Sequence, residues 1–420
     1  MHIQFEVDFI NKKFYATFKG NLNNKGITTT QFLLNRDFII KELKCNGKKI
    51  DVESIKMKTI IDDHVLNKYI LPQDVLDIEI SYTGTLDGTT GMCPYVRETI
   101  DSRFTFIRWE TFSYPIFAMD DFDDILNFLN SKIEFSSKII VPNSHLVLSP
   151  CELISEETIG EKAIFNFNGC DLSFAIGKYK RTKLPVGDFY FFDNMSYETI
   201  DMITNILDEA YRFMNANFGY RDIDSCIKYV SIPDKFGSFA NEKCVFVEEG
   251  TYSSKISMKQ IIHEFIHLGW NAKAEGKTQR IRFFDEAYTN YFTLRVLEDI
   301  LSHEEYLCEV NRYKSINQKN IEKGIVPISE YGNYECGDLS YTTGALCVYE
   351  LCKLMGKEQF DAVTKIFLEK YRNESVTIDG FCNEYISLGK NKGLEEFFRI
   401  WIYDIEGPKY VNDLSNIQVQ

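Results

Sequence analysis

The sequence holds no CxxC pair, although it contains 11 cysteines. That absence removes the usual spacing of a cysteine zinc site or a redox dithiol. An odd number of scattered cysteines in a chain of 420 residues points to thiols in a reducing cytoplasm, since a core this large needs no disulfide staples. Nor is there an uninterrupted apolar run of about 18 residues, the length a membrane-spanning helix requires. Positive charge is also short: 47 Lys and Arg stand against 62 Asp and Glu, a net charge of -15. Such a surface repels phosphate backbones and anionic lipid, so neither nucleic acid nor membrane is expected as a partner. The opening stretch MHIQFEVDFINKKF mixes acids and bases and has no apolar h-region, so no secretory leader is expected. Internal repeats and low-complexity tracts are missing too.

What is present falls into two regimes. Up to about residue 185 the apolar residues alternate with polar ones. Ile3, Phe5, Val7 and Phe9 stand against Gln4, Glu6 and Asp8, and the same period returns at Leu76, Ile78, Ile80 and Tyr82 and at Leu172, Phe174 and Ile176. A period of two predicts strands with one buried face, and Asn46-Gly47 and Asn168-Gly169 carry the chemistry of hairpin turns. From Ser196 the period lengthens to about 3.6, through Ile200, Ile203, Ile206, Leu207, Ala210, Phe213 and Met214, with Gly219 placed to end the helix. Apolar runs from Ile227 to Ile232 and from Cys244 to Val247 predict two further strands, and Ser257 with Gln260 predicts a capping box that opens a helix. The remainder reads as mostly helical. The expected fold class is α+β, with an antiparallel β domain over residues 1–185 and a mainly helical domain over residues 186–420.

The helical region carries His263-Glu264-Phe265-Ile266-His267. Histidines four apart lie one above the other on a helix, so both imidazoles can reach one ion. Glu264 follows the first of them, where its carboxylate can address water at that ion. Helical pitch prevents the same helix from offering a third ligand at that point, so a second helix must bring one. Glu286, in the stretch RFFDEAYTNYF, sits among aromatic and apolar residues, a costly place for an unpaired carboxylate and a sensible one for a metal ligand. Asp285 is expected to face solvent or to support a ligand from behind. Two imidazoles and a carboxylate favour zinc, one per chain. The other histidines read as ordinary: His303 is followed by Leu307 where a second imidazole would be needed, and His2, His64 and His145 have no partners of that kind.

Together these residues resemble the M1 group of metallopeptidases, whose pattern is HExxH, eighteen residues, then Glu within NEGFAxY. Here eighteen residues separate His267 from Glu286, which lies within DEAYTNY. The HEF and WN elements between His263 and Asn271 are also similar to the glycyl aminopeptidases of the same clan, whose glutamate lies farther away. The resemblance implies a thermolysin-like catalytic domain behind an N-terminal β domain. Ser340 to Ala345 is similar to the family's Tyr-x-Lys-Gly segment, which implies that Tyr341 donates to the oxyanion; the family's lysine is Thr343 here. Phe236 to Val247 is similar to the Gly-x-Met-Glu-Asn strand, which implies that Gly237, Ser238, Phe239, Ala240 and Asn241 line the substrate cleft. The family's glutamate, which grips the substrate's α-amine, is Ala240 here, with Glu242, Glu248 and Glu249 as the nearby acids. Phe397, Phe398, Trp401 and Pro408 resemble the end of the family's catalytic domain. Larger relatives continue into a helical-repeat domain, and its lack implies an open cleft.

The expected function is hydrolysis of peptide bonds, with Glu264 as general base, zinc as Lewis acid and Tyr341 as oxyanion donor. An aminopeptidase-like enzyme with altered N-terminal selectivity is the leading form. An endopeptidase or dedicated maturation protease is a second. A non-catalytic peptide-binding scaffold is a third, although a binding module has no need of Glu264, both histidines, Glu286 and Tyr341 together.

Overall fold

The computed structural model describes residues 1–411 apart from 24–26, 28–29, 52, 59–64, 87–98, 120–121, 193–194, 220–226, 242, 271–272, 275–282, 332–338 and 372–373. The chain divides into two compact units. The first takes Met1–Thr182, Phe189–Asn194 and Tyr229–Ser238, and the second takes Lys183–Asp188, Met195–Lys228 and Phe239–Gln420.

In the first unit the alternating segments become strands whose apolar face closes on one core. An eight-stranded sheet runs in the order Glu152–Ile159, Lys162–Gly169, Phe135–Pro142, His2–Asp8, Lys13–Asn21, Asp77–Gly84, Ile39–Cys45 and Lys48–Lys49. Ile3, Phe5 and Val7 are buried, as are Ile78, Ile80 and Tyr82, whereas Leu76 lies outside its strand and is exposed. The sheet is not wholly antiparallel as expected: His2–Asp8 pairs in parallel with Phe135–Pro142. A parallel pair needs a long crossover, which the intervening residues provide. Asn46 and Gly47, at φ 50° and 74°, do form the turn between Ile39–Cys45 and Lys48–Lys49. Asn168-Gly169 does not form a hairpin; it closes the strand Lys162–Gly169, and Gly160, at φ 61°, sits in the neighbouring turn instead. Gly169 serves close packing, since a Cβ there would come within 2.6 Å of Cys151 Sγ.

The second unit is mainly helical. Helix α1, Tyr197–Phe218, is capped by the Ser196 side chain, which accepts from the Thr199 N–H, and ends at Gly219 with φ 70°. Ile203, Ile206, Leu207, Ala210, Phe213 and Met214 are buried along it, and Phe213 and Phe218 pack on the ring of Phe292. Strands β1 (Phe239–Asn241) and β2 (Cys244–Glu248) form an antiparallel pair with Ala240 opposite Val245. Helix α2 spans Lys259–His267, α3 Tyr288–Ile300, α4 His303–Lys323 and α5 Ala345–Met355.

The capping box expected at Ser257 and Gln260 does not form. Helix α2 begins at Lys259 without a side-chain cap, Ser257 pairs with Ser254, and the Gln260 amide turns inward. A complete capping box stands instead at Ser302 and Glu305, which leaves His303 in the exposed first turn of α4. His145 is an ordinary buried histidine, stacked on Phe9 and bonded through Nε2 to the Ser102 carbonyl. His64 lies outside the described residues. Among the described residues no helix is long and apolar enough to cross a membrane.

Candidate metal centre

Helix α2 is apolar on nearly every side, with Ile261, Ile262, Phe265 and Ile266 buried. Within that wall of hydrocarbon the rings of His263 and His267 turn toward each other and toward Glu286 from a later segment. His263 Nε2 and His267 Nε2 lie 3.0 Å apart. Glu286 Oε2 approaches them at 3.1 Å and 3.5 Å respectively. In a tetrahedral site with ligand distances near 2.0–2.1 Å, neighbouring donors are about 3.3 Å apart, so these separations fit a zinc ion in the middle. Two imidazoles and a carboxylate are also a usual zinc donor set.

Glu286 is delivered by a π-helical turn, Phe283–Ala287, immediately before α3. Such widened turns occur often at functional sites, because they shift one residue out of the regular helical register. Two contacts anchor this one. Trp270 Nε1 donates to the Phe284 carbonyl, and the indole stacks on Tyr288 with ring centroids 4.4 Å apart. A second π-helical turn, Ser340–Gly344, packs against the first and carries Tyr341. Gly344 permits that approach, since a Cβ on it would stand 2.9 Å from the Ala287 Cβ. The Tyr341 hydroxyl donates to Glu286 Oε1 over 2.7 Å, so the phenol lies at the edge of the metal centre. Asn290 fixes the backbone beneath it, donating to the Tyr341 carbonyl at 3.0 Å while accepting from the Tyr313 hydroxyl at 3.1 Å. Thr343, which stands where the family pattern has lysine, is buried; its hydroxyl donates to Asn317 Oδ1, and Asn317 in turn donates to the Pro408 carbonyl.

Glu264 sits beside His263 and is only 4% exposed. Burial raises its carboxyl above the ordinary range, with the neighbouring imidazoles pulling the other way. Gln260, one turn earlier, donates from Nε2 to Glu264 Oε1 at 2.6 Å and so fixes the orientation of that carboxylate. On the other side, Asp285 Oδ1 is 2.8 Å from His267 Nδ1. Burial alone pulls the His267 imidazole down, but the carboxylates of Asp285 and Glu286 outweigh it and hold the ring well above its ordinary value when no metal competes.

The structure thus gathers His263, Glu264, His267, Glu286 and Tyr341 in one place. Of the segment expected to line a cleft, Phe239, Ala240 and Asn241 form strand β1 in the same unit as the centre, near α2. Gly237 and Ser238 fall in the first unit. Glu242 lies outside the described residues, and Glu248 and Glu249 are half-buried. Two contacts, Gln260 to Glu264 and Asn290 to Tyr341, and the two π-helical turns were not anticipated. The spacing of four between Gln260 and Glu264 signals a helical pair, but the spacing of three from Ser257 signals a cap for the same side chain.

No protein-family model matches this sequence, and no curated protein matches it either. Solved structures do match it in three dimensions. Yeast LTA4 hydrolase, from Saccharomyces cerevisiae, superposes with a TM-score of 0.65 at 14% identity, over 96% of this chain and 67% of the hydrolase. The M1 zinc metallopeptidase of Deinococcus radiodurans gives 0.63 at 11% identity, over 96% of this chain and 92% of that one. The chain has the fold of the M1 zinc metallopeptidases. Its β-rich first part and mainly helical second part correspond to the N-terminal and catalytic parts of those M1 enzymes. Within this fold His263, His267 and Glu286 are grouped so that they could hold one metal ion.

Proposed function

We propose that this protein is a zinc-dependent peptidase that hydrolyses peptide bonds with Glu264 as general base. The observation that carries this reading is the convergence of His263 Nε2, His267 Nε2 and Glu286 Oε2 beside a buried carboxylate on the same helix. Bound zinc would supply Lewis acidity, polarising a carbonyl oxygen and acidifying a water molecule. Glu264 takes the proton of the attacking water on its carboxylate and returns it to the leaving amine nitrogen, a role suited to a carboxyl whose affinity for protons burial has raised. Gln260 keeps the carboxylate oriented for both transfers. The Tyr341 phenol, at the edge of the centre, donates to the oxygen on which negative charge develops; a neutral donor stabilises that charge more than it does the ground state.

The substrate is a peptide. The Deinococcus metallopeptidase has been seen with a Tyr-Ser-Ala substrate, and the yeast hydrolase with bestatin. Ala240 supports relaxed N-terminal selectivity and so keeps endopeptidase or maturation-protease action in play. Glu248 is three residues along β2 from the partner of Ala240, about 10 Å away along the strand, too far to replace a carboxylate at position 240. The reading belongs to a reducing, cytoplasmic protein. Elemental analysis of zinc, combined with hydrolysis of matched free and N-acetylated peptides, tests it. A zinc-free protein that cleaves neither peptide would refute it in favour of a binding scaffold.

A further inference from the structure

We propose that Asp285 is a positioning residue for zinc: its carboxylate orients the His267 ring and fixes its tautomer. The inference rests on zinc binding at His263, His267 and Glu286. A neutral imidazole carries one N–H, and the hydrogen bond made by one nitrogen decides which nitrogen keeps a lone pair for metal. Asp285 Oδ1 stands 2.8 Å from His267 Nδ1, so the proton belongs there and the lone pair is left on Nε2, the nitrogen that faces His263 and Glu286. The π-helical turn Phe283–Ala287 makes this possible, because two consecutive acids address opposite edges of one ring: Asp285 at Nδ1 and Glu286 at Nε2.

The two histidines are unequal in this respect. Among the described residues His263 Nδ1 is buried without a hydrogen-bond partner, so carboxylate support is given to His267 alone. Thr289 Oγ1 also approaches His267 Nδ1, at 3.3 Å, but a hydroxyl brings no charge. The carboxylate holds the ring and its tautomer in place, and supporting groups of this kind typically change metal affinity by about 10- to 100-fold.

The test compares zinc affinity, by competition with a chromogenic chelator, in wild type, Asp285→Asn and Asp285→Ala, together with the melting temperature of each metal-free protein. Asparagine keeps the shape and an acceptor oxygen and removes the charge. The expected result is about 10- to 100-fold weaker zinc binding in Asp285→Asn, at least as much in Asp285→Ala, and a metal-free Asp285→Asn protein that stays folded at the assay temperature and unfolds in one cooperative transition. Zinc held by both variants as tightly as by wild type overturns the role of Asp285 and leaves the metal site standing. A metal-free Asp285→Asn protein that is unfolded at the assay temperature assigns the lost affinity to the scaffold and overturns it. Wild-type protein that binds no zinc overturns the metal site itself, and this inference with it.

Discussion

Replacing Glu264 by glutamine separates the base from the metal. The side chain is buried, and its hydrogen bond from Gln260 Nε2 to Oε1 can be kept by the amide oxygen of glutamine. Glu264 contributes none of the three converging donor atoms, so zinc content should stay at wild-type level. What disappears is a proton acceptor: kcat should fall by at least about 10²-fold, equivalent to roughly 2.7 kcal/mol of transition-state stabilisation. Stability should move the other way. The folded-state pKa of Glu264 is raised, so its contribution to stability is present below the ordinary carboxyl pKa and is lost as pH rises through the folded value. Metal-free Glu264→Gln should therefore melt no lower than metal-free wild type at neutral pH, and should lack that part of the decline between acid and neutral pH. Stopped assays on a cleavable peptide, elemental analysis and melting curves across pH read all three. Wild-type turnover in a zinc-replete Glu264→Gln protein would show that the base lies elsewhere.

Three further outcomes are expected. The double variant His263→Ala/His267→Ala should lose bound zinc by elemental analysis, and stoichiometric zinc in it would refute the ligand assignment. Tyr341→Phe should retain zinc and lower kcat by up to about 10²-fold, since Glu286 keeps its place in the donor set while the phenolic donor is gone; unchanged kcat would reduce the tyrosine to packing. Acetylating a cleavable peptide should alter wild-type kcat/KM by less than about tenfold, and Ala240→Glu should raise the preference for the unblocked peptide by about 10- to 150-fold, the worth of one charged hydrogen bond. If wild type cleaves unblocked peptides alone, another acid binds the amine.

The metal pair was legible because the helix period places residues four apart on one face, a rule that holds without tertiary information. Glu286 was legible as a buried acid among aromatics, and α1 from its apolar spacing and its terminal Gly219. The sheet order was not. A two-residue period shows which face of a strand is buried but not which strand lies beside it, and the parallel pairing of His2–Asp8 with Phe135–Pro142 joins segments far apart in sequence. Asn168-Gly169 misled for a related reason: glycine there serves a close approach to Cys151, which only packing reveals.

The site shows the same limit on a smaller scale. Ser257 and Gln260 satisfy the local pattern of a capping box, yet Gln260 bonds to Glu264. A cap offers Gln260 a backbone amide at the protein surface, whereas Glu264 offers an acceptor in a buried site, where a charged hydrogen bond is worth more and an unmade one costs more. The stronger demand wins the side chain, and α2 starts later, without a cap. The π-helical turns follow the same logic. Nothing in FFDEA or SYTTG marks a widened turn, but regular helix would not present Asp285 and Glu286 to opposite edges of His267, nor set Tyr341 against Glu286. At Gln260 and in the two π-helical turns, where local rules and the structure disagree, the residues concerned adjoin the metal centre, as expected when a fold gives up local preference to hold a site.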